Sequence, residues 1–244
     1  QPLKKSKAKL KDIVLFKSLL ILYFYLVLFY TFEYNILDQY SYYWICIKMA
    51  DFNSDSFYLF LHIPKTAGTA LRQIIDNQYG QENVLTYYTQ NSQHLLVNLE
   101  ALLIVKPQYK AIIGHYYFGL HTKNGFPATY ITFLHHPIAR TIFQYKEWVI
   151  NRPERLLNQD GSTQTLIENI NSCPDDYTDF QFKNIAPGND ESEMSIEEKA
   201  LHNLSNHFSG VGLVEYFDES ISLFSEKFGW VLTPYNKLNV KIRR

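Results

Sequence analysis

Cysteine is nearly absent: Cys46 and Cys173 are the only two in 244 residues, too few for a disulfide framework and without metal-ligand spacing. The eight histidines do not fill that gap. The close pairs His115/His121 and His202/His207 have neither an i, i+4 helical spacing nor cysteine partners, so no metal is expected. The nucleotide-binding signature GxxxxGK[ST] is missing, and so are repeats and low-complexity tracts. Charge is also scarce. The overall −1 divides into +4 over residues 1 to 48, where seven lysines face Asp12, Glu33 and Asp38, and −5 over residues 49 to 244. A mildly acidic body attracts DNA, RNA or a heavily sulfated polymer poorly at long range, so nucleic acid is not an expected partner.

Phe57 to Asn77, FYLFLHIPKTAGTALRQIIDN, organises the rest. Phe57 to Ile63 is short, nearly continuous in apolar character and ended by Pro64, which suits a strand buried on both faces of a parallel sheet. Leu71, Ile74 and Ile75 share one face at helical spacing, so a helix begins near Gly68. A strand, a tight turn and a helix start leave backbone N–H groups, the Thr66 and Thr69 hydroxyls and the Lys65 ammonium around one small volume. That is an anion site, for phosphate.

HIPKTAGTALR resembles the 5′-phosphosulfate-binding loop of the sulfotransferases, in the branch that contains the carbohydrate enzymes. The resemblance extends to about Asn239. It implies a three-layer α/β fold like that of the P-loop proteins, a largely parallel central sheet with helices on both faces, and 3′-phosphoadenosine 5′-phosphosulfate as co-substrate. Lys65 would stabilise the bridging oxygen, while Thr66, Gly68, Thr69 and Ala70 would bind the 5′-phosphate. A short apolar run lies near Val84 to Tyr88, Gln93 to Val105 is expected as a helix, and Lys110 to Gly114 as a second buried strand. That strand delivers His115 at its C-terminal end, where ligands sit in open α/β sheets. GHYYFGLH resembles the family's glycine-histidine segment, which makes His115 the general base and His121 a weaker candidate.

Thr129 to Leu134 is the third buried strand, and HHPIARTIFQYKEW after it resembles the family's 3′-phosphate element. His135 stands at the arginine position, His136 at the acidic one and Phe143 at the serine one. The chain therefore departs at both usual phosphate ligands, and Thr141 is about 200° from Phe143 around a helix. His135 and Arg140 are the remaining candidates there, with Ile138, Thr141, Ile142, Tyr145 and Val149 expected as the buried stripe. Farther on, Thr163 to Ile170 is expected as a helix capped by Ser162, and Gln181 and Asn184 as loop residues, with acceptor contacts the alternative that the resemblance offers. Ser195 to Glu198 is a capping box that starts a helix to His207. Gly210 to Phe217 is expected as the fourth strand, and Asp218 as the cap of a helix that packs Ile221, Leu223, Phe224 and Phe228 on the sheet. Lys237 and Asn239 resemble the start of a basic loop over the nucleotide.

Residues 1 to 48 carry one long apolar run, Ser18 to Phe32, fifteen residues against the roughly 20 that span a bilayer, extended over residues 14 to 34 around Lys17 and Glu33. One reading is a lysine-flanked signal anchor, giving a single-pass type II membrane protein like Golgi enzymes of this resemblance. The favoured reading is translation of AT-rich upstream DNA, with Met49 as the start and a cytoplasmic protein. The expected function is transfer of a sulfuryl group to a hydroxyl acceptor, a carbohydrate. The alternatives are a catalytically weakened relative that binds nucleotide or glycan, a P-loop-type kinase, which the displaced lysine disfavours, and a non-enzymatic membrane-anchored scaffold resting on the apolar run alone.

Overall fold

Five short strands, all parallel, carry the site. A computed structural model describes residues 57–88, 108–121, 127–187 and 194–235, all within the unit Met49–Arg244. The strands are β1 (Phe57–Leu61), β2 (Val84–Tyr87), β3 (Ala111–Gly114), β4 (Ala128–Leu134) and β5 (Phe208–Leu213), in the order β2-β3-β1-β4-β5. The α/β fold with a parallel sheet is as the apolar runs predict. Every residue of β3 and β5 is buried, as a sheet covered on both faces requires.

Among the described residues six helices connect and cover the strands: α1 (Gly68–Tyr79), α2 (Pro137–Asn151), α3 (Leu166–Ser172), α4 (Phe180–Ile185), α5 (Ile196–His207) and α6 (Phe217–Phe228). Alternation along the strands sorts the core. Tyr58, Phe60, Ala111, Ile113, Ile131 and Phe133 face Leu71, Ile74 and Ile75 of α1 and Ile221, Phe224 and Phe228 of α6. On the opposite parity, Tyr130 and Phe208 stack with Phe118. There α5 packs against β5 and α4 against α5.

Several elements differ from expectation. The 163–170 helix is Leu166–Ser172, because Thr165 and Glu168 form the capping box, leaving Ser162 to bond Asp160 in the preceding turn. Gln181 and Asn184 lie in α4, not in a loop. The Gln181 amide brackets the His135 backbone, accepting from its N–H at 2.9 Å and donating to its carbonyl at 2.7 Å. The Asn184 side chain donates to Phe180 O, and the Asn184 backbone carbonyl accepts from Phe118 N–H. The fourth expected strand runs Phe208–Leu213, earlier than Gly210 to Phe217, and α6 starts at Phe217 with Asp218 inside its first turn. Ser195 and Glu198 do cap α5 reciprocally.

Helix α2 is turned from its expected orientation. Arg140, Gln144 and Trp148 are its buried line, whereas Ile138 and Val149 are 49% and 47% exposed. Buried carbonyls within reach of a guanidinium outweigh the apolar stripe here, because they satisfy the charge that burial would otherwise strand. Trp148 meanwhile packs with Leu156 and Tyr177. Among the described residues no helix is long and apolar enough to cross a membrane. The run at 14–34, the Gln93 to Val105 helix, Lys237 and Asn239 lie outside the described residues.

Candidate functional site

The central strand β1 ends against the loop Pro64 to Ala67, and the loop backbone is unusual. Lys65 (φ 72°) and Ala67 (φ 61°) both occupy the left-handed region, sparsely populated by side chains with a Cβ. Side chains hold it there by engaging three successive carbonyls. Ile63 O accepts from the Thr66 hydroxyl at 2.8 Å, Pro64 O from Arg140 Nε at 3.3 Å, and Lys65 O from His135 Nδ1 at 2.9 Å. Helix α1 follows immediately. Its first helical bond runs from Leu71 N–H to Ala67 O (3.1 Å), so the N–H groups of Gly68, Thr69 and Ala70 precede the ladder and point from the helix start. Thr69 is exposed beside them. Backbone donors and the positive end of the helix dipole therefore lie where the loop turns, the geometry of an anion site.

Lys65 lies in the loop, and Gly68, Thr69 and Ala70 form the first turn of α1; the Thr66 hydroxyl is turned inward. It is fully buried and spent on Ile63 O, so its role is to close the turn. Arg140 is not a solvated helix charge or a phosphate donor in waiting. Only 2% exposed, it bonds Pro64 O, Asp176 O and Gln144 Oε1, with its guanidinium 3.6 Å from the centre of the Phe180 ring. Burial lowers its pKa to about 10, against the raising effect of Asp176 nearby, which still leaves it charged at neutral pH.

His135 is buried too, and both ring nitrogens face groups of the fold. Nδ1 donates to Lys65 O, and Nε2 lies 3.6 Å from Glu215 Oε1, which also accepts the His136 N–H at 2.8 Å. Burial draws its pKa down, with Glu215 and the Lys65 carbonyl pulling the other way. Phe143 lies with its ring centre 5.5 Å from that of His135. The positions that resemble the 3′-phosphate element thus brace the loop from α2.

Strand register assembles the other half of the site. Leu61 pairs with Gly114, and Gly114 with Tyr87, so the next residues on β1, β3 and β2 are His62, His115 and Tyr88, side by side. All three fall on the α1 face. The His115 ring lies 4.8 Å from each of the other two, and His62 Nδ1 shares a hydrogen bond with the Tyr88 hydroxyl at 3.2 Å. Two glycines are required for this contact. A Cβ on Gly68 would fall 1.8 Å from the His62 ring, and one on Gly114 would fall 1.6 Å from Tyr87 O. His115 Nε2 is buried without a hydrogen-bond partner.

Burial, with Lys65 nearby, lowers His115 to about 4; burial, His115 and Lys65 lower His62 to about 3. Both imidazoles are neutral at physiological pH, the form in which one accepts a proton. Burial pushes Tyr88 up to about 12. His121 does not join them. It bonds the Tyr130 hydroxyl at 3.1 Å and packs with Phe118 and His207.

Lys65 Nζ does not stand free. It is 3.1 Å from Glu147 Oε2 on α2, with the two side chains 26% and 39% exposed. Against burial, which would raise it, hydrogen bonds from Lys65 and Asn151 hold the Glu147 carboxyl below its ordinary range. His62, Tyr88, Glu147 and Glu215 were not singled out from sequence. Tyr88 ends an apolar run and His62 interrupts one, usable signals, but pairing them with His115 needs the register; Glu147 shares a helix face with Arg140 and Phe143 in the sequence, which does not show that it meets Lys65. Among the described residues no group of three or more His, Cys, Asp or Glu is placed to hold a metal. Scanned against protein-family models and searched against characterised proteins, the chain matches none.

Proposed function

We propose that the chain transfers a sulfuryl group from 3′-phosphoadenosine 5′-phosphosulfate to a hydroxyl acceptor, with carbohydrate as the acceptor class. The observation that carries this is the strand–loop–helix unit at residues 57–79, whose helix opens with N–H groups ahead of its hydrogen-bond ladder and whose loop lysine, Lys65, lies near His115, an imidazole that burial keeps neutral. In this reading the N–H groups of Gly68, Thr69 and Ala70 hold the 5′-phosphate. The acceptor oxygen attacks sulfur as the bond to the bridging oxygen breaks. Lys65 stabilises the charge left on that oxygen, and His115 takes the acceptor's proton.

Titration calorimetry on the full chain tests it. The desulfated product, 3′-phosphoadenosine 5′-phosphate, is expected to bind without magnesium, and Lys65→Ala is expected to lower transfer by roughly 10²-fold or more. Tighter, magnesium-dependent binding of ATP would replace this reading with a kinase. A second reading, binding without turnover, is favoured by one observation: His135 and Arg140 are committed within the fold and Phe143 has no donor to offer. Product binding with no transfer to any sugar acceptor would support it.

A further inference from the structure

We propose that Glu147 is a positioning residue that acts through Lys65, a carboxylate built in to compete with the ligand for the lysine. The proposal rests on the reading of the loop as a phosphosulfate site. Lys65 Nζ, the cation that reading assigns to the leaving phosphate, is held 3.1 Å from Glu147 Oε2. Glu147 lies on the face of α2 that turns to the loop. Arg140, Phe143 and Glu147 follow one another at i, i+3 and i+7, and the first two reach Pro64 O and the His135 ring. The helix therefore presents the loop with a guanidinium, a phenyl ring and a carboxylate in succession.

Only the last contact is open to exchange. Arg140 is buried among fixed carbonyls, whereas the Lys65 and Glu147 side chains are 26% and 39% exposed. A dianionic phosphate arriving at the N–H groups of Gly68 to Ala70 offers the ammonium a stronger partner than one carboxylate. Lys65 then transfers to the ligand and Glu147 swings to solvent. In the ligand-free protein the pair keeps the lysine from binding weaker, singly charged anions. The ligand must supply the free energy of displacement, so the carboxylate sets affinity and charge selectivity without touching the substrate.

The test is calorimetric titration of the full chain and its variants with 3′-phosphoadenosine 5′-phosphate at low ionic strength. A partly exposed pair is worth little, and its loss to the ligand is the whole of the competition, so Glu147→Gln should bind about three- to fivefold tighter than wild type. In a Lys65→Met background the same change should alter affinity by less than about twofold, since the competition is for that lysine. A merely structural glutamate would give neither the gain nor its dependence on Lys65. Glu147→Ala serves as a second variant, with the same expected direction. Wild-type binding that needs Lys65 but is unchanged in both Glu147 variants would overturn the competition and leave the site reading intact. Failure of wild type and Glu147→Gln alike to bind would overturn both.

Discussion

Arg140→Met should unfold far more easily than wild type while leaving the groups proposed to bind phosphate chemically intact. Methionine keeps the length and apolar stem of arginine but removes every donor. Pro64 O and Asp176 O then lose charge-assisted hydrogen bonds, each worth about 1.5 to 3 kcal/mol, and the stack on Phe180 loses about 0.5 to 2 kcal/mol. These contributions overlap, and the net cost should be about 3 to 5 kcal/mol, the range seen when one member of a buried polar network is removed. For a chain of this size each kcal/mol lowers the melting temperature by about 2 to 4 °C, so scanning calorimetry and urea unfolding both resolve the change. Arg140→Lys should fall between, because one ammonium cannot reproduce the fork that serves two carbonyls. A methionine variant within about 0.5 kcal/mol of wild type in stability, with weakened product binding, would refute the reasoning and return Arg140 to the ligand.

The two threonines of the loop should separate. Thr66→Val should cost about 1 to 2 kcal/mol in urea unfolding through the lost bond to Ile63 O. Thr69→Val, exposed, should leave stability within about 0.5 kcal/mol and weaken product binding about three- to tenfold by calorimetry; the reverse pattern would exchange their roles. His115→Ala should keep product affinity within about tenfold while transfer falls roughly 10²-fold, and undiminished turnover would remove His115 from the mechanism. Acid should destabilise the fold through the histidine pair. With folded pKa values near 3 for His62 and 4 for His115, below the unfolded value of about 6.5, the unfolded chain binds more protons between those limits. Stability therefore falls as pH drops through that window, by up to about 2.7 kcal/mol per pH unit where both groups differ. Urea midpoints between pH 7 and 4.5 measure this, and His62→Phe should remove about half of the slope; an unchanged slope would mean that the His62 ring is solvated.

What could be read from the chain alone was whatever depends on runs and periods. The four longest apolar strand segments, the helix at Gly68 and the Ser195 capping box follow from local pattern, and the structure contains them with boundary shifts of a few residues. Orientation of polar groups was not legible. Helix α2 was misjudged because hydrophobic count assigns the buried face, and at Arg140 and Gln144 polar groups won that face through carbonyls contributed by residues 64 and 176, distant in sequence. Thr66 was misjudged for a related reason: a hydroxyl in a tight turn bonds its own backbone three residues back before it meets a ligand. The cluster of His62, His115 and Tyr88 needed the pairing of three strands, which no single segment encodes. Element ends at Thr165, Phe208 and Phe217 also differ from expectation, but only by a few residues, whereas the misread side-chain orientations lie around the loop at 64–67.

The loop itself shows why those polar side chains are worth burying. Two residues with a Cβ held at positive φ cost about 1 to 3 kcal/mol each, so the turn at Lys65 and Ala67 would relax unless its surroundings fixed it. Thr66, Arg140 and His135 do so by engaging the carbonyls of residues 63, 64 and 65 in succession, contributions of about 1 to 3 kcal/mol apiece that together match the strain. Because a peptide unit is planar and trans, a carbonyl drawn into the body turns the N–H on its other side outward. Pro64 O is tied to Arg140, so the Lys65 N–H points away from α2, and the N–H groups of Gly68, Thr69 and Ala70 are open at the helix start. Lone pairs are thereby removed from the place an anion would enter, and donors are left. His135 and Arg140, at positions where the resemblance implies a phosphate contact, would favour an anion at one remove, because they hold the carbonyls that would repel it; under the proposal above, Glu147 is the charge such an anion would displace from Lys65.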